Sequence, residues 1–256
     1  MTAPLFFADV EKLRAATIGA HVVLDGAEGR HAATVKRLTV GERVVLSDGA
    51  GLRCDAEITA VMANSIDARV LSTVTEPTPR PRLTVVQALA KGGGADRDER
   101  AVETMTEVGV DAIVPWQASR SIVRWDSARA AKGVERWRTA AREAAKQSRR
   151  SWIPQISDVA KTADVVRRLR ASSGICVVLH EAATRPLSQL RTDVDEVVVI
   201  VGPEGGVSED ELAAFEDAGA TACRLGPTVL RASTAGTVAA AVLLANSGRW
   251  AGATER

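Results

Sequence analysis

The chain has 256 residues, of which 46% are hydrophobic and 25% are charged, and its formal net charge is +1. This length and balance indicate a folded protein of one large or two ordinary domains, which needs neither disulfides nor a metal to build its core. No apolar run approaches the roughly 18 residues of a membrane helix and the N-terminus lacks a signal-peptide pattern, so we expect neither a membrane nor a secreted protein.

The first 75 residues are predicted to form a small β-barrel. Four runs rich in β-branched residues are separated by Asp-Gly and Asn-Ser turn signals, as in HVVLDG and ERVVLSDG. Between them, residues 28–38 are expected to form a short helix that carries His31, Lys36 and Arg37. The following segment TEPTPRPR contains three prolines and predicts a linker at residues 76–82.

Residues 83–256 are predicted to form an α/β domain with a mostly parallel sheet. Apolar strand-like runs alternate with helical segments, and the runs ICVVLH and EVVVIVG are continuous, as expected for strands buried on both faces. Gly109 is placed to end one helix, and Ser208 with Glu211 forms a capping box that begins another. The predicted strands are 83–90, 111–115, 175–180 and 196–202, and the predicted helices are 98–108, 134–146, 208–218 and 234–246.

The sharpest motif is VGPEGGVSEDE at residues 201–211. A buried strand ends at Val201, a glycine-rich turn follows, and a capped helix begins. Ligands bind beyond the carboxyl ends of parallel strands, and glycines let a ligand approach the backbone closely. The spacing matches neither a dinucleotide fingerprint nor a phosphate loop, so it argues against NAD and ATP. An ordinary turn between strand and helix is the alternative interpretation.

A second motif, LGPTVLRASTAGTV, begins at residue 225 and places Arg231 just before a helix. The free N–H groups at the start of that helix and the arginine charge could hold a carboxylate or an electron-rich base. A third feature is the stretch 120–150, which has ten basic side chains and three acidic ones. This excess fits a phosphate backbone, and it equally fits a solvated helix face whose basic C-terminus complements the helix dipole.

In this order, several motifs resemble the ribosomal RNA uridine-N3 methyltransferase family of the SPOUT superfamily. The matching stretches are RHAATVKRLTVGERVVLSDG (30–49), EVGV (107–110), EAAKQSRRS (143–151), GPEGG (202–206) and LGPTVLRASTA (225–235). The likeness covers nearly the whole chain. GPEGG is shared across the superfamily, whereas EAAKQSRRS is much more specific to this family.

The resemblance implies a PUA-like RNA-binding β-barrel at residues 1–75 and a SPOUT methyltransferase domain at residues 83–256, whose parallel sheet ends in a deep trefoil knot. It implies S-adenosyl-L-methionine as the cofactor, held by the loop after ICVVLH, the GPEGG turn and the 225–235 loop. The implied cofactor residues are Leu179, His180, Glu181, Gly202, Pro203, Glu204, Gly205, Leu225, Gly226, Leu230, Ser233, Thr234 and Ala235. The residues expected to meet RNA are Lys36, Arg37, Arg120, Lys146, Gln147, Arg149 and Arg150.

The chain departs from the family pattern at two positions. Ser233 stands where the family usually has an acid, so no general base is assigned there. Pro4 and Leu5 precede the aromatic pair Phe6-Phe7, where an arginine is usual, which removes one expected RNA contact. Arg231 remains the candidate catalytic residue, because a fixed guanidinium can stabilise charge on a uracil ring.

The expected activity is therefore methylation of N3 of a uridine in 16S rRNA, with free 16S rRNA or the assembled small ribosomal subunit as substrate. A homodimer, no metal and no membrane are expected, and reduced core cysteines at Cys54, Cys176 and Cys223 indicate the cytoplasm. Buried packing is favoured over base stacking for Trp125, Trp137 and Trp152. The alternatives are another SPOUT methyltransferase acting on ribose 2′-OH or transfer RNA, a non-catalytic RNA-binding homologue, and a nucleotide-dependent enzyme that binds phosphate at GPEGG.

Overall fold

The computed structural model describes residues 3–90 and 96–251, and the chain divides into two compact units. We call residues 3–78 together with 145–153 the N-terminal unit, and residues 79–144 together with 154–251 the C-terminal unit. None of the helices in the described ranges combines the length and the hydropathy that crossing a lipid bilayer requires.

The N-terminal unit is a curled five-stranded sheet around its own core. Four strands are those predicted, and a fifth precedes them; the strand order is β1-β3-β4-β5-β2, with β1 and β3 parallel and the other neighbours antiparallel. Every strand contributes a side chain to one core cluster, as Phe6 and Ile58 do. The elements are β1 (Leu5–Phe7), α1 (Val10–Ala15), β2 (His21–Leu24), α2 (Gly26–Arg30), β3 (Arg43–Ser47), β4 (Leu52–Val61) and β5 (Ile66–Thr75).

The helix predicted at residues 28–38 differs in form. The structure has the short α2, which continues directly into one π-helical turn over His31–Val35. The wider turn places Lys36 at its C-terminal cap, where its N–H donates to the carbonyl of His31. This segment therefore ends in a tight bend that carries Lys36 and Arg37 to the surface.

Residues 145–153 belong to the N-terminal unit, whereas the sequence had placed them in the second domain. The reason is local packing against two glycines. The Trp152 ring lies within 2.5 Å of the position that a Cβ on Gly51 would occupy, and Ile153 lies equally close at Gly49. The carbonyl of Ser151 also accepts a hydrogen bond from Gly51 N–H at 3.0 Å. A domain boundary placed at the proline-rich linker takes no account of these contacts.

The C-terminal unit confirms the predicted α/β architecture. Its sheet has the strand order β12-β10-β11-β6-β7-β8, with β9 also paired to β7, and every pairing is parallel. The strands are β6 (Arg82–Ala88), β7 (Ala112–Gln117), β8 (Gln155–Ile156), β9 (Ala160–Lys161), β10 (Ile175–Leu179), β11 (Glu196–Val201) and β12 (Thr221–Cys223). The helices are α3 (Asp96–Val108), α4 (Ser127–Gln147), α5 (Thr162–Ala171), α6 (Glu209–Asp217) and α7 (Ala232–Asn246).

The two faces of this sheet bury separate cores. Residues of α3, α4 and α7 pack on one face, and residues of α5 and α6 pack on the other. The central strands β6, β10 and β11 are covered on both faces, which explains their continuous apolar sequence. The three cysteines are free thiols and all of them are buried, as predicted.

Helix α4 begins seven residues earlier than predicted, at Ser127. Asp126 Oδ1 accepts a hydrogen bond from Arg129 N–H at 2.9 Å, which satisfies one free donor of the first turn. Gly133 is tolerated inside the helix because the Trp125 ring occupies the space that a Cβ would need, 2.5 Å away. Trp125 in turn meets Trp137 edge to face at 5.9 Å, so these two tryptophans pack in the core, as predicted.

The chain leaving β12 runs past the connection between β10 and β11. Arg224 N–H donates to the carbonyl of Arg185 at 2.8 Å, and Leu187 N–H donates to the carbonyl of Arg224 at 2.8 Å. The chain then passes through residues 225–231 into α7, which packs on α3. These hydrogen bonds form an isolated parallel bridge between Pro186 and Arg224, and the trefoil knot stays a prediction.

Candidate active site

Three loops of the C-terminal unit enclose a cavity of about 540 Å³, which we call the loop cavity. The loops follow β10, β11 and β12, which are neighbours in the sheet and parallel, so their carboxyl ends meet at one edge. The volume lies within the ~300–1,000 Å³ range of small-molecule sites. The GPEGG turn supplies one wall, residues 179–181 a second, and residues 224–232 a third.

The GPEGG turn needs its glycines for two different reasons. Gly206 has a φ of +74°, a left-handed conformation that L side chains rarely adopt. At Gly202 the conformation is ordinary, but a Cβ would lie 2.8 Å from the Cγ2 atom of the buried Val207. At Gly205 a Cβ would lie 3.2 Å from the Cβ of Arg120. The three glycines of the turn therefore expose their backbone, because neighbouring atoms leave little room for a side chain at Gly202 and Gly205 and the backbone conformation disfavours one at Gly206.

Glu211 fixes this turn to two other segments. The predicted capping box is present: Ser208 Oγ accepts from Glu211 N–H, and the Glu211 carboxylate accepts from Ser208 N–H. The same carboxylate accepts hydrogen bonds from Ser119 N–H at 2.7 Å, from the Ser119 hydroxyl at 2.9 Å and from the Thr162 hydroxyl at 2.9 Å. Although burial acts to raise the pKa of Glu211, these hydrogen bonds outweigh it and lower the pKa.

Arg120 is brought to the loop cavity by this arrangement. Its neighbour Ser119 is held by Glu211, and its guanidinium donates to the carbonyl of Gly205 at 3.3 Å. Arg120 therefore lies in the wall of the loop cavity, whereas the other cations predicted to meet RNA belong to the N-terminal unit. The capping box was readable in the sequence, but its link to Ser119 and Thr162 joins residues far apart in the chain.

Arg231 occupies the N-terminal cap of α7 and lines the loop cavity. Its carbonyl accepts hydrogen bonds from Thr234 N–H and Ala235 N–H, both at 2.9 Å, which fixes the backbone at the start of the helix. Its side chain is exposed, and within the described part of the chain it forms no ion pair. A guanidinium and the positive end of a 15-residue helix therefore share one wall of the cavity.

Most of the residues predicted to bind the cofactor line this one cavity. Ser233 and Thr234 do not, because α7 begins at Ala232, and Ala232 and Ala235 lie on the face that meets the cavity. His180 lines it with its Nδ1 accepting the N–H of Ala182 at 3.3 Å. The predicted residues that line it are Leu179, His180, Glu181, Gly202, Pro203, Glu204, Gly205, Leu225, Gly226, Leu230 and Ala235.

Asp98, in the first turns of α3, is a titratable group that the sequence did not single out. Burial raises its pKa to about 6, against the opposing hydrogen bond that Ala90 N–H donates to it at 3.4 Å. The negative charges of Glu204 and Glu99 raise the pKa further, and the charge of Arg136 lowers it. The pKa of Asp98 therefore depends on the charge of Glu204, a residue of the GPEGG turn.

The basic stretch 120–150 separates into two parts in the structure. Along α4, three of its arginines form ion pairs with nearby acids: Arg129 with Asp126, Arg136 with Glu99, and Arg138 with both Glu135 and Asp158. These pairs support the interpretation of a solvated helix face for that part. At the end of the stretch, Lys146, Gln147 and Arg149 line a cavity of about 510 Å³ in the N-terminal unit together with Lys36, and we call it the cationic cavity. Arg37 and Arg150 do not line it.

Family models match both parts of the chain. A model described as an RNA methyltransferase domain matches residues 76–244, and one described as an RNA methyltransferase PUA domain matches residues 24–71. A Mycobacterium bovis protein named ribosomal RNA small subunit methyltransferase E is 44% identical over 98% of this chain and 94% of its own length.

Two solved structures with bound S-adenosylmethionine are also similar. The ribosomal RNA small subunit methyltransferase E of Neisseria gonorrhoeae and the putative methyltransferase Lpg2936 of Legionella pneumophila each have a TM-score of 0.83 and 26% identity. Both likenesses cover 96% of this chain, and they cover 98% and 99% of the respective structures. The chain therefore belongs to the S-adenosylmethionine-dependent RNA methyltransferases of the ribosomal RNA small subunit methyltransferase E family.

Proposed function

We propose that this protein transfers the methyl group of S-adenosyl-L-methionine to N3 of a specific uridine in the 16S rRNA of the small ribosomal subunit. The observation that carries the proposal is the loop cavity, in which the GPEGG turn and Arg231 line one chamber in a member of this family. The loop cavity has apolar leucine side chains, a wall of glycine backbone and the positive charge of Arg231.

The residues of the loop cavity suit the cofactor. Leu179, Leu225 and Leu230 supply half-buried apolar surface for an adenine ring. The glycines at 202, 205 and 206 present backbone groups to the cavity, and a carboxylate such as that of Glu204 accepts hydrogen bonds from hydroxyl or ammonium groups. When bound, the cofactor supplies an electrophilic methyl group on a sulfonium centre.

Arg231 is the residue that we assign to the reacting base. N3 of uracil carries a proton, and as that proton leaves, negative charge spreads onto the two ring oxygens. A guanidinium at the rim of a small cavity stabilises such charge, and the hydrogen bonds at the start of α7 fix the backbone from which the Arg231 side chain extends. Ser233, which replaces the usual acid of the family, lies outside the cavity wall, so we assign no proton acceptor to it.

The cations of the N-terminal unit are proposed to hold the RNA backbone. Lys36, Lys146, Gln147 and Arg149 come together around one cavity, although more than a hundred residues separate Lys36 from the others. Lys146 Nζ lies 3.3 Å from Glu28 Oε1 and is almost fully buried, so its main contribution is to fix the end of α4. Lys36 and Arg149 are exposed and suit phosphate contacts, together with Arg37, Arg120 and Arg150.

We also propose that the protein acts in the cytoplasm as a homodimer. Val229, in the wall of the loop cavity, is 77% exposed, and Ile122, two residues after Arg120, is 63% exposed. Large apolar side chains exposed beside a ligand cavity suit an interface with a second copy. Light scattering of the purified protein measures this directly, and a monomer at micromolar concentration would contradict it.

The decisive experiment incubates the protein with labelled S-adenosylmethionine and small ribosomal subunits that lack the modification, followed by digestion and nucleoside identification. N3-methyluridine in 16S rRNA is the expected product. A 2′-O-methylated nucleoside, or label in transfer RNA alone, would replace the proposal with another SPOUT activity. RNA binding without any methyl transfer by a protein that binds the cofactor would indicate a non-catalytic homologue.

A further inference from the structure

Glu211, in the first turn of α6, is 4% exposed and is the only buried acidic residue among those that the structure describes. A buried carboxylate is costly unless hydrogen bonds satisfy it. This carboxylate accepts five, of which the capping box with Ser208 accounts for two. The other three come from Ser119 and Thr162, which lie 92 and 49 residues away in the sequence. The carboxylate therefore does more than begin a helix.

Ser119 is held by both of its donors. Its N–H donates to Glu211 Oε1 at 2.7 Å and its hydroxyl donates to Glu211 Oε2 at 2.9 Å, so the carboxylate fixes the backbone and the side chain together. Two residues later, Ser121 N–H donates to the carbonyl of Ala118 at 3.1 Å and closes a turn. Arg120 therefore extends from a short turn whose conformation depends on Glu211.

This short turn packs closely on the GPEGG turn. A Cβ at Gly205 would lie 3.2 Å from the Cβ and 3.3 Å from the carbonyl oxygen of Arg120. The Arg120 guanidinium donates to the carbonyl of Gly205 at 3.3 Å. A guanidinium has several N–H donors, and among the described residues no acid pairs with this one. The Arg120 side chain is exposed and lines the loop cavity, so its other donors are available to a ligand there.

The loop cavity is lined by more positive than negative side chains. They are three arginines and two glutamates: Arg120, Arg224, Arg231, Glu181 and Glu204. A base that is methylated must leave the stack and enter such a cavity, and the phosphates of its nucleotide follow it to the rim. Arg231 is already assigned to the ring oxygens. A second guanidinium, held on the GPEGG wall, suits a phosphate, because its planar fork matches two phosphate oxygens.

We propose that Glu211 is a positioning residue for methyl transfer. By holding Ser119, it keeps the Arg120 guanidinium on the GPEGG wall, where Arg120 binds a phosphate of the nucleotide whose base enters the loop cavity. This inference rests on the proposed function, because the phosphate is that of the uridine to be methylated. Binding energy at this phosphate holds the base in line with the methyl group, which raises the rate of transfer more than the overall affinity for RNA.

The test measures single-turnover methyl transfer from S-adenosylmethionine to small ribosomal subunits that lack the modification, for Arg120→Ala, Glu211→Gln and the double variant. Glutamine offers one acceptor oxygen instead of two, so the N–H groups of Ser119 and Ser208 cannot both be satisfied. At saturating substrates, the rate should fall roughly 10–100-fold in Arg120→Ala and about 10-fold in Glu211→Gln. The double variant should be no slower than Arg120→Ala, because residues of one network are not additive.

Affinities separate positioning from ordinary binding. In each variant the affinity for the ribosomal RNA should change less than about 3-fold, since one phosphate is a small share of the contacts. Isothermal titration should give an unchanged affinity for S-adenosylmethionine. An RNA affinity that falls as much as the rate would make Arg120 a general RNA contact and would overturn the inference. Weaker cofactor binding would also overturn it, because the guanidinium would then hold the cofactor carboxylate.

Thr162→Val is the matched control for stability. It removes a hydroxyl that donates to the same carboxylate at 2.9 Å and accepts from Trp116 Nε1 at 3.3 Å, yet it leaves both donors of Ser119 bound. Its melting temperature should fall, as that of Glu211→Gln does, while its rate stays close to that of the wild type. An equal fall in rate in the two variants would overturn the inference, because loosening of the fold would explain both. Losses that multiply in the double variant of Arg120 and Glu211 would overturn it as well.

A neutral linkage identifies the phosphate. A methylphosphonate replaces, in turn, each phosphate that flanks the target uridine in 16S rRNA. One of these substitutions should slow the wild type and should not slow Arg120→Ala further. No effect on the wild type, or an equal effect on both proteins, would overturn the inference. If the wild type methylates no uridine of the unmodified subunits, the proposed function fails and the inference with it. If the wild type methylates one and the variants keep its rate, the inference alone fails.

Discussion

The loop cavity and the cationic cavity are similar in size, but glycine backbone forms a wall of the first and side chains form the walls of the second. The GPEGG turn lines the loop cavity with backbone, and its glycines are required because neighbouring atoms fill the space around them. Side chains of three distant segments line the cationic cavity, and there Arg149 has a φ of +58°, a backbone conformation that suits glycine. A site built from backbone is damaged by added atoms, and a site built from side chains is damaged by removed atoms. Substitutions of opposite kinds therefore separate the two cavities.

Arg231 is the exception that breaks this comparison, because it is a side chain at the backbone-built cavity, and its loss should have the largest effect. Arg231→Ala is expected to lower kcat about 10²–10³-fold, since removing one donor to a developing oxyanion has effects of that size. Cofactor affinity should change little. Single-turnover methyl transfer to small ribosomal subunits at saturating substrates measures this. Arg231→Lys keeps a charge without the planar fork and is expected to recover part of the rate. Near-normal turnover of the alanine variant would remove Arg231 from catalysis.

Glu211 tests whether the backbone of the loop cavity depends on one side chain. Glu211→Ala leaves the donors of Ser119, Thr162 and Ser208 without their acceptor, so we expect a loss of about 2–4 kcal/mol in the free energy of unfolding. Urea denaturation measures it. Glu216→Ala, on the exposed side of the same helix, is the matched control and should change stability by less than about 0.5 kcal/mol.

The pH dependence of the Glu211 contribution has a fixed sign. Its pKa is lowered in the folded state, so its stabilising contribution is present above the ordinary glutamate pKa and is lost as the pH falls through the folded value. The difference in stability between the wild type and Glu211→Ala should therefore shrink in acid. A difference that grows as the pH falls would contradict the hydrogen-bonded carboxylate described above.

Much of the loop cavity could be predicted because its walls are contiguous motifs. GPEGG and LGPTVLRASTA each follow a strand, and parallel strands bring their ends together, so the walls could be named before the fold was known. The placement of Ser233 and Thr234 could not be predicted, since it depends on the residue at which α7 begins. Arg120 was predicted to contact RNA and was not predicted to line the cofactor cavity. Its place beside Gly205 depends on Glu211 binding Ser119 across 92 residues of sequence.

The cationic cavity could be predicted only in part. The basic residues Lys36, Lys146 and Arg149 were predicted to contact RNA, but no sequence pattern shows that residue 36 lies close to residue 146 in the fold. The association of 145–153 with the N-terminal unit depends on Trp152 and Ile153 filling the space beside two glycines, which is a matter of tertiary packing. The positive φ angles of Arg37 and Arg149 could not be predicted either, because the exact residues at which helices end are the least predictable part of a helix.

Gly202 tests the effect of an added side-chain atom on the backbone-lined loop cavity. Gly202→Ala places a Cβ 2.8 Å from Val207 Cγ2, and we expect it to weaken cofactor affinity about 10-fold by displacing the turn. Isothermal titration with S-adenosylmethionine measures the affinity. The double variant Gly202→Ala with Val207→Ala removes the clashing methyl group and should recover most of the affinity. If the double variant binds no better than Gly202→Ala, the space around the turn is not what requires glycine.

Asp98 gives the smallest expected effect, and its connection with the loop cavity is the negative charge of Glu204, which raises the pKa of Asp98. Its folded pKa of about 6 lies above that of an unfolded aspartate, so the folded state holds more protons between about pH 4 and pH 6, and stability falls as the pH rises through that window. Asp98→Asn keeps an oxygen for the Ala90 N–H and cannot ionise, so it should be more stable than the wild type by about 1–2 kcal/mol at pH 7.5 and by much less at pH 4.5. Glu204→Gln, which removes one of the charges that raise the pKa of Asp98, should reduce this difference in stability between Asp98→Asn and the wild type.

Urea denaturation at both pH values measures the free energy of unfolding of each variant. If Asp98→Asn is more stable than the wild type by the same amount at the two pH values, the Asp98 carboxyl does not titrate in this range. Because Glu204 belongs to the GPEGG turn, the titration of Asp98 would couple the stability of the protein to the charge of that turn.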